Sequence, residues 1–251
     1  MTDQPLAGAV VVLDLDGTLV DTAPDLIGVL NQILGEHGHH ALPLEAARTV
    51  VGHGARAMID LGFRAAGETL PPAAADRLFE RFLHLYVARI AVASRPFPGA
   101  LVALDMLAAA GARLAVCTNK LTDLSVALLD ALKLTPRFAA VVGPDAAGAR
   151  KPDPRHLLAT IEAAGGRPDR AIMVGDSSPD IEAARVAGVP CIAVSWGYAD
   201  VPPAEFGADL LIDHFAELPA AALRLLAPPT AANSRHLPAP DAIGPRIVGD
   251  A

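Results

Sequence analysis

The segment VVVLDLDGTLVDT at residues 10–22 limits what this chain can fold into more than any other. Its aliphatic residues carry apolar side chains on both faces, which is typical of an interior strand of a parallel sheet. The run ends in two carboxylates, Asp14 and Asp16, at a Gly-Thr turn. Because open α/β sheets bind ligands at the carboxyl ends of their strands, we expect both carboxylates at the reactive edge.

Asp14 and Asp16 are separated by one residue, so their side chains share a face if the strand geometry persists. Two like charges held so close repel each other, and burial adds to the cost unless a cation or a shared proton compensates. A divalent metal ion compensates most simply, which predicts a metal site. The alternative interpretation is that Asp16 only caps an Asp-Gly turn, which is a common arrangement, and that Asp14 is incidental.

The composition limits the class of protein. With 251 residues, 52% of them hydrophobic, and a mean hydropathy of +0.38, the chain can bury a large α/β core, alone or with a second, smaller domain. No uninterrupted apolar run reaches the length of a membrane span. The apolar segment near the amino terminus has no basic residue before it, so we interpret it as a strand rather than a signal peptide. We therefore expect a cytoplasmic protein that does not associate with membranes.

The charge pattern points to a small-molecule partner. The net charge of −8 and the absence of a basic cluster with interleaved aromatic residues argue against nucleic-acid binding. Lysines are scarce, so Lys120, Lys133 and Lys151 are each candidates for binding an anion. Cys117 and Cys191 lie in apolar, strand-like contexts and are predicted to be buried thiols without a catalytic role.

The order of elements predicts two units and a tail. The helices that follow the first strand are not interrupted by another strand, whereas strands and helices alternate from residue 96 onward, which is typical of a doubly wound parallel sheet. We expect a core domain at 1–19 and 95–226, an all-helical cap domain at 20–94 that closes over the sheet edge, and a disordered tail at 227–251. The predicted helices are 23–37, 44–61, 73–92, 99–110, 121–132, 153–164, 179–187 and 214–226, and the later strands are 112–117, 139–142, 171–174, 190–194 and 209–212.

Polar residues also follow other predicted strands of the core. Thr118 and Asn119 follow the second strand, Lys151 opens a later helix, and Asp176 and Asp180 follow the fourth strand. Each has an ordinary alternative, as a strand-end hydroxyl, a solvated loop lysine or a helix cap. Caps, however, need neither a lysine nor apposed carboxylates. Clusters at several carboxyl ends of one sheet therefore predict a phosphate site.

The motifs DLDGT at 14–18, TN at 118–119, KP at 151–152 and GDSSPD at 175–180 occur in this order, with a helical insert after the first. Together they resemble the haloacid dehalogenase superfamily of phosphohydrolases with a small helical cap, over residues 9 to 226. The resemblance implies a Rossmann-like α/β core, a doubly wound parallel sheet with a small all-helical cap inserted after the first strand.

The resemblance also implies roles for individual residues. Asp14 would be the nucleophile that forms an aspartyl-phosphate, and Asp16 the general acid and then base. Mg²⁺ would be bound by Asp14, the backbone carbonyl of Asp16 and Asp176, and Asp180 would support this site from behind. Thr118, Asn119 and Lys151 would neutralise charge on the transferred phosphoryl group.

Within the superfamily, Asp16 argues against dehalogenation, and the absence of lysine from 20–94 argues against phosphonoacetaldehyde hydrolysis. The cap segment RTVVGHGAR, with Arg48, His53 and Arg56, is similar to phosphoglycolate phosphatases, although His53 stands where asparagine is more familiar. We expect these three to contact the substrate, a small phosphorylated metabolite such as 2-phosphoglycolate. The alternatives are a sugar-phosphate phosphatase, a β-phosphoglucomutase-like enzyme or a catalytically silent phosphate-binding module. The sequence leaves open whether the protein is a monomer or a homodimer.

Overall fold

The fold is built around a parallel sheet of six strands. The structure is a computed structural model that describes residues 4–199 and 201–226, and the sheet has the order β5-β4-β1-β6-β7-β8. Two further strands, β2 and β3, form a separate antiparallel pair. The strand bounds are β1 Val10–Leu13, β2 Val20–Asp21, β3 Arg95–Pro96, β4 Arg113–Cys117, β5 Ala140–Val142, β6 Ala171–Gly175, β7 Cys191–Val194 and β8 Leu210–Ile212.

Strand β1 is central and buried on both faces, as its aliphatic run predicts. Val10 pairs with Arg113 of β4 on one side and with Ala171 of β6 on the other. Val11 and Leu13 enter one apolar cluster, whereas Val10 and Val12 enter another on the opposite face. The chain thus forms the predicted doubly wound α/β fold.

Helices cover both faces of the sheet. Helices α5, α6 and α10 contribute to the cluster around Leu13, and α8 and α9 to the cluster around Val12. No helix in the described ranges is both long and apolar enough to cross a bilayer. The helix bounds are α1 Ala23–Glu36, α2 Leu44–Arg48, α3 Ala55–Ala65, α4 Pro72–Val87, α5 Ala100–Ala109, α6 Thr122–Ala131, α7 Pro144–Ala147, α8 Pro154–Ala163, α9 Ser178–Ala187 and α10 Leu218–Leu226.

Helices α1 to α4 form an insert between β2 and β3. They share an apolar cluster of their own, which includes Leu30, Phe63 and Phe82. The strands that lead into and out of the insert pair with each other, Val20 opposite Pro96. The insert is therefore joined to the sheet through one narrow stem.

Two predicted helices in this insert have the wrong bounds. The prediction of one helix over 44–61 is wrong, because α2 ends at Arg48, a 3-10 turn follows at Val51–His53, and α3 begins at Ala55. Between them Gly54 has a φ of +91°, which a right-handed helix cannot accommodate. The helix predicted over 73–92 ends at Val87. The tail predicted to be disordered, 227–251, lies outside the described residues.

Candidate active site

The ammonium of Lys151 lies at the centre of a buried cluster at the carboxyl edge of the sheet. Its Nζ is 2.8 Å from Oδ1 of Asp14 and donates to Oδ1 of Asp180 at 2.6 Å and to the carbonyl of Cys117 at 2.7 Å. Asp14 directly follows β1, and its backbone N–H continues the sheet by donating to the carbonyl of Val174. Parallel strand ends thus bring residues that are far apart in the sequence into contact.

Burial dominates the electrostatics of this cluster. It raises the pKa of Asp14 well above its usual range, although Lys151 opposes the shift. It likewise raises the pKa of Asp176 to about 7, with Asp180 adding to the effect. Burial disfavours the charged form of Lys151, but Asp14 and Asp180 outweigh it and hold the pKa of the lysine above its usual range.

Asp176 is held from two sides. Its Oδ1 accepts from the Thr18 hydroxyl at 2.6 Å, and its Oδ2 accepts from the backbone N–H of Tyr198 at 2.7 Å. Gly17 and Gly197 both pack closely against the side chain of Asp176. A Cβ atom on Gly17 would lie 2.4 Å from Oδ2 of Asp176, and one on Gly197 would lie 2.2 Å from its Cβ. Both positions therefore require glycine, because a side chain would displace the carboxylate.

The carboxylates of Asp14, Asp176 and Asp180 fit a divalent cation. All three are buried and offer oxygen atoms within 4.8 Å of one another. Only one ammonium, that of Lys151, forms ion pairs with them among the described residues. Besides the Lys151 ammonium, the buried Oδ1 of Asp14 has no hydrogen-bond partner in the described part of the chain. An all-oxygen donor set with excess negative charge suits a hard cation.

Asp16 has partners that are separate from those of this cluster. Its Oδ2 is 2.9 Å from Nζ of Lys120, and its Oδ1 accepts from the Thr22 hydroxyl at 2.6 Å. The Lys120 ammonium also lies 4.8 Å from the centre of the Tyr86 ring, on α4 of the insert. The two carboxylates of the DLD motif are therefore positioned for different tasks.

Thr118 and Asn119 organise the loop after β4. The Thr118 hydroxyl accepts from the backbone N–H of Lys120 at 3.1 Å and lies at the cavity wall. The Asn119 side chain accepts from the backbone N–H of Lys151 and donates to its carbonyl, at 2.9 and 3.1 Å. Asn119 thus fixes the backbone that carries Lys151.

A cavity of about 260 Å³ lies between the insert and the sheet edge. Its floor is polar, with Asp14, Asp16 and Lys120, whereas its roof is mainly apolar. The insert therefore covers the carboxylates. The lining residues are Asp14, Asp16, Leu26, Val51, Gly52, Gly54, Ala55, Arg56, Met58, Phe79, Phe82, Leu83, Tyr86, Thr118, Asn119, Lys120, Leu121, Leu124, Pro144 and Arg150.

Comparison with known proteins decides the family. Residues 11–194 match the model of haloacid dehalogenase-like hydrolases. The chain belongs to this hydrolase family. A phosphoglycolate phosphatase of Caulobacter vibrioides is 52% identical to it over 88% of this chain and 93% of the relative. An N-acetylmuramic acid 6-phosphate phosphatase of Pseudomonas aeruginosa is 37% identical to it over 83% of this chain and 92% of the relative.

The fold of this hydrolase also matches solved structures. A crystal structure described as a predicted phosphoglycolate phosphatase from Haemophilus somnus superposes with a TM-score of 0.79, at 28% identity, over 86% of this chain and 98% of that one. Membership in a hydrolase family favours an enzyme over the catalytically silent module.

The residues of the hydrolase insert that were expected to contact substrate lie in different places. Arg56 lines the cavity but pairs with Asp76 at 2.7 Å. Arg48 is not among the described residues that line the cavity. Its Nη2 is 3.6 Å from Oδ1 of Asp21, and its guanidinium lies over the ring of Tyr198. His53 ends the 3-10 turn, and its side chain lies outside the described part of the chain.

Sequence reasoning gave no role to Tyr198, which links the insert of this hydrolase to the core. Its hydroxyl donates to Asp21 at 2.6 Å and accepts from the backbone N–H groups of Thr22 and Ala23 at 2.7 and 2.8 Å. Tyr198 follows β7 and lies far from α1 in the sequence, so no local pattern pointed to it. Lys120 was noticed only because lysine is rare.

Proposed function

We propose that this hydrolase is a Mg²⁺-dependent phosphomonoesterase that acts through an aspartyl-phosphate, with 2-phosphoglycolate as its substrate. One observation carries the chemistry: the buried Oδ1 of Asp14 lies 2.8 Å from the Lys151 ammonium and has no further hydrogen-bond partner within the described residues. A buried carboxylate oxygen that is held only by a fixed cation is suited to attack an electrophile whose oxygens that cation stabilises.

In the first half-reaction, Asp14 attacks phosphorus, the ester P–O bond breaks, and Asp16 gives a proton to the leaving oxygen. In the second, Asp16 takes a proton from the water that attacks the aspartyl-phosphate, which releases phosphate and frees Asp14. Lys151 and Thr118 stabilise negative charge on the transferred group. Asn119 acts through Lys151, whose backbone it holds.

The metal would be held by Asp14, Asp176 and the backbone carbonyl of Asp16, with Asp180 fixing Lys151 beside them. When bound, Mg²⁺ supplies positive charge that favours the ionised forms of these carboxylates and offsets the charge of the phosphate. The excess negative charge of the cluster supports this proposal.

The substrate proposal rests on the similarity to phosphoglycolate phosphatases, including the relative that is 52% identical. The second candidate is a sugar-phosphate phosphatase, favoured by the 37% identity to an N-acetylmuramic acid 6-phosphate phosphatase and by a cavity larger than glycolate needs. A β-phosphoglucomutase-like activity is the third candidate.

The insert, residues 20–94, is proposed to act as a cap that closes over the substrate and excludes water, since its helices form the roof of the cavity. The core is proposed to comprise 1–19 and 95–226. The cytoplasmic location and the choice between monomer and homodimer stay predictions.

A turnover screen with Mg²⁺ tests these assignments. Phosphoglycolate, N-acetylmuramic acid 6-phosphate, glucose 1-phosphate and p-nitrophenyl phosphate are compared by release of inorganic phosphate, and conversion of glucose 1-phosphate to glucose 6-phosphate is followed separately. We expect the highest kcat/KM for phosphoglycolate, no activity in EDTA and recovery with Mg²⁺. Full activity after exhaustive chelation would contradict the metal proposal, and a higher kcat/KM for a sugar phosphate would replace the substrate proposal.

A further inference from the structure

The corner of the cavity beside Asp16 contains a cation that the proposed chemistry does not use. The side chain of Lys120 is only 7% exposed, lines the cavity, and places Nζ 2.9 Å from Oδ2 of Asp16. A lysine ammonium carries three N–H donors, and Asp16 takes one of them. Donors therefore remain for a ligand in the cavity.

The hydroxyl of Tyr86 is a second sign of a ligand at this corner. Tyr86 is 1% exposed and lines the same cavity, and apart from the nearby Lys120 ammonium, which can only donate, its hydroxyl has no hydrogen-bond partner among the described residues. Buried tyrosine hydroxyls usually find a partner, because an unpaired one loses its hydration without compensation. Burial raises the pKa of Tyr86 to about 12, so near neutral pH the hydroxyl keeps its proton and can donate it.

We propose that Lys120 and Tyr86 bind a carboxylate that the leaving group carries on the carbon next to the ester oxygen. This proposal rests on the proposed function, in which Asp16 protonates that oxygen. Because Nζ of Lys120 is 2.9 Å from Asp16, a group that meets both residues must place its anion within a few bonds of the ester oxygen. The substrate class is then the O-phosphorylated 2-hydroxy acids.

The arginines of the insert are less suited to this role. Arg56 already pairs with Asp76, and its side chain is 59% exposed, so water screens its charge. Arg48 lies against Asp21 and the ring of Tyr198. Lys120 is shielded from solvent, where a charge-assisted hydrogen bond to a carboxylate is stronger.

The test compares phosphoglycolate with 2-phosphooxyacetamide, in which a neutral amide replaces the carboxylate. The measured quantity is the ratio of the kcat/KM values for the two compounds in the full-length enzyme with Mg²⁺. We expect Lys120→Met to lower this ratio about ten- to a hundredfold and Tyr86→Phe to lower it about three- to tenfold. Effects of Lys120→Met on Asp16 itself act on both compounds and cancel in the ratio.

Lys133→Met is the matched control, because Lys133 is exposed and outside the cavity, and it should leave the ratio unchanged. If Lys120→Met does not fold, Tyr86→Phe decides alone, since it removes a single oxygen whose proton has no acceptor among the described residues. An unchanged ratio in Tyr86→Phe, or a drop in Arg56→Met without one in Lys120→Met, would overturn the proposal.

Calorimetric titration separates this inference from the proposed function. The same two compounds are titrated with Mg²⁺ into Asp14→Asn, alone and combined with Tyr86→Phe. If the wild-type protein hydrolysed neither compound, the proposed function would fail, yet the ratio of the two Kd values would still show whether this corner prefers a carboxylate. Equal Kd values for the two compounds would overturn the inference even in an active phosphatase.

Discussion

At the scale of single residues, Asp14 and Asp16 share one motif but lie in different electrostatic settings. Asp14 is buried among carboxylates around Lys151, whereas Asp16 is held by Lys120 and Thr22. The proposed chemistry gives them different tasks: a nucleophile must be ionised, which Lys151 and a bound cation would favour against the effect of burial, while an acid-base residue must change its protonation state.

Replacing Asp14 by asparagine should lower kcat by at least about a thousandfold, because an amide of nearly the same shape is a poor nucleophile. The fold should persist. In EDTA the variant should melt at the same temperature as the wild type or higher, since burial disfavours the ionised form that it removes. Phosphate release and thermal melting measure the two effects. Retention of more than about a hundredth of the wild-type kcat would contradict nucleophilic catalysis by Asp14.

Asp16→Asn should lower activity to a degree that depends on the leaving group. The asparagine cannot give a proton to an alkoxide, but p-nitrophenolate needs little protonation to depart. Single-turnover formation of the phosphoenzyme should therefore decrease at least about tenfold more for phosphoglycolate than for p-nitrophenyl phosphate. Equal decreases for both substrates would argue against Asp16 as the leaving-group acid.

At the scale of elements, a buried carboxylate fastens the insert to its stem. Asp25, in the first turn of α1, accepts hydrogen bonds from the backbone N–H groups of Ala93 and Ser94 and from the Ser94 hydroxyl. These bonds join the first helix of the insert to the segment that returns toward β3. Both ends of the insert are therefore held together.

Asp25→Asn should lower the free energy of unfolding by about 2–3 kcal/mol, because the amide is a weaker acceptor and places its own N–H groups against backbone donors. Urea unfolding measures this loss. Ser94→Ala is the matched control, which removes only the hydroxyl bond and should cost about 1 kcal/mol. A smaller loss for Asp25→Asn than for Ser94→Ala would show that the carboxylate does not stabilise the stem.

The elements also show which parts of the fold a sequence can reveal. The β1 prediction is confirmed because a buried parallel strand needs an aliphatic run, and that pattern is local. The single helix predicted over 44–61 is wrong because its apolar spacing continues across a break in the backbone: α2 ends at Arg48, and Gly54, with a φ of +91°, separates the 3-10 turn from α3. The glycines are visible in the sequence, but the apolar periodicity around them favours one continuous helix.

In the candidate site, too, some contacts can be predicted from the sequence and others cannot. Strand ends of one parallel sheet meet at one edge, so topology alone brings Asp14 and Asp176 together, whereas Lys151 comes from the loop between α7 and α8, whose backbone Asn119 holds. The contact of Lys120 with Tyr86 depends instead on how α4 packs over the loop after β4. That packing is tertiary, and no local spacing encodes it.

At the scale of the whole molecule, stability should depend on pH through His156. This residue is buried on α8, its Nε2 lies 3.1 Å from the Val142 carbonyl, and its Nδ1 has no partner among the described residues. Burial lowers the pKa of His156 below its usual range. The unfolded chain therefore takes up the proton first as the pH falls, so the contribution of His156 to stability is lost below about pH 6.5.

Relative to the wild type, His156→Gln should gain stability as the pH falls from 7 to 5, because the loss due to His156 is removed, whereas the raised pKa values of Asp14 and Asp176 act in the opposite direction in both proteins. Gln can still donate to the Val142 carbonyl but cannot take up a proton. Urea unfolding at both pH values measures the slope, with His84→Gln as the control because His84 is exposed on α4. An equal slope in wild type and His156→Gln would show that His156 does not titrate differently in the folded protein.

The pairing of β2 with β3 has a consequence for how such a chain can diversify. The helical insert begins after β2 and ends before β3, and these two strands pair with each other. The sheet can therefore tolerate changes in the insert as it would tolerate changes in the loop of a β-hairpin. The length and sequence of the insert can change while the registers of β1, β4 and β6 stay the same. Mutations that reshape the roof of the cavity can thus alter which substrate is accepted and leave the reacting groups in place.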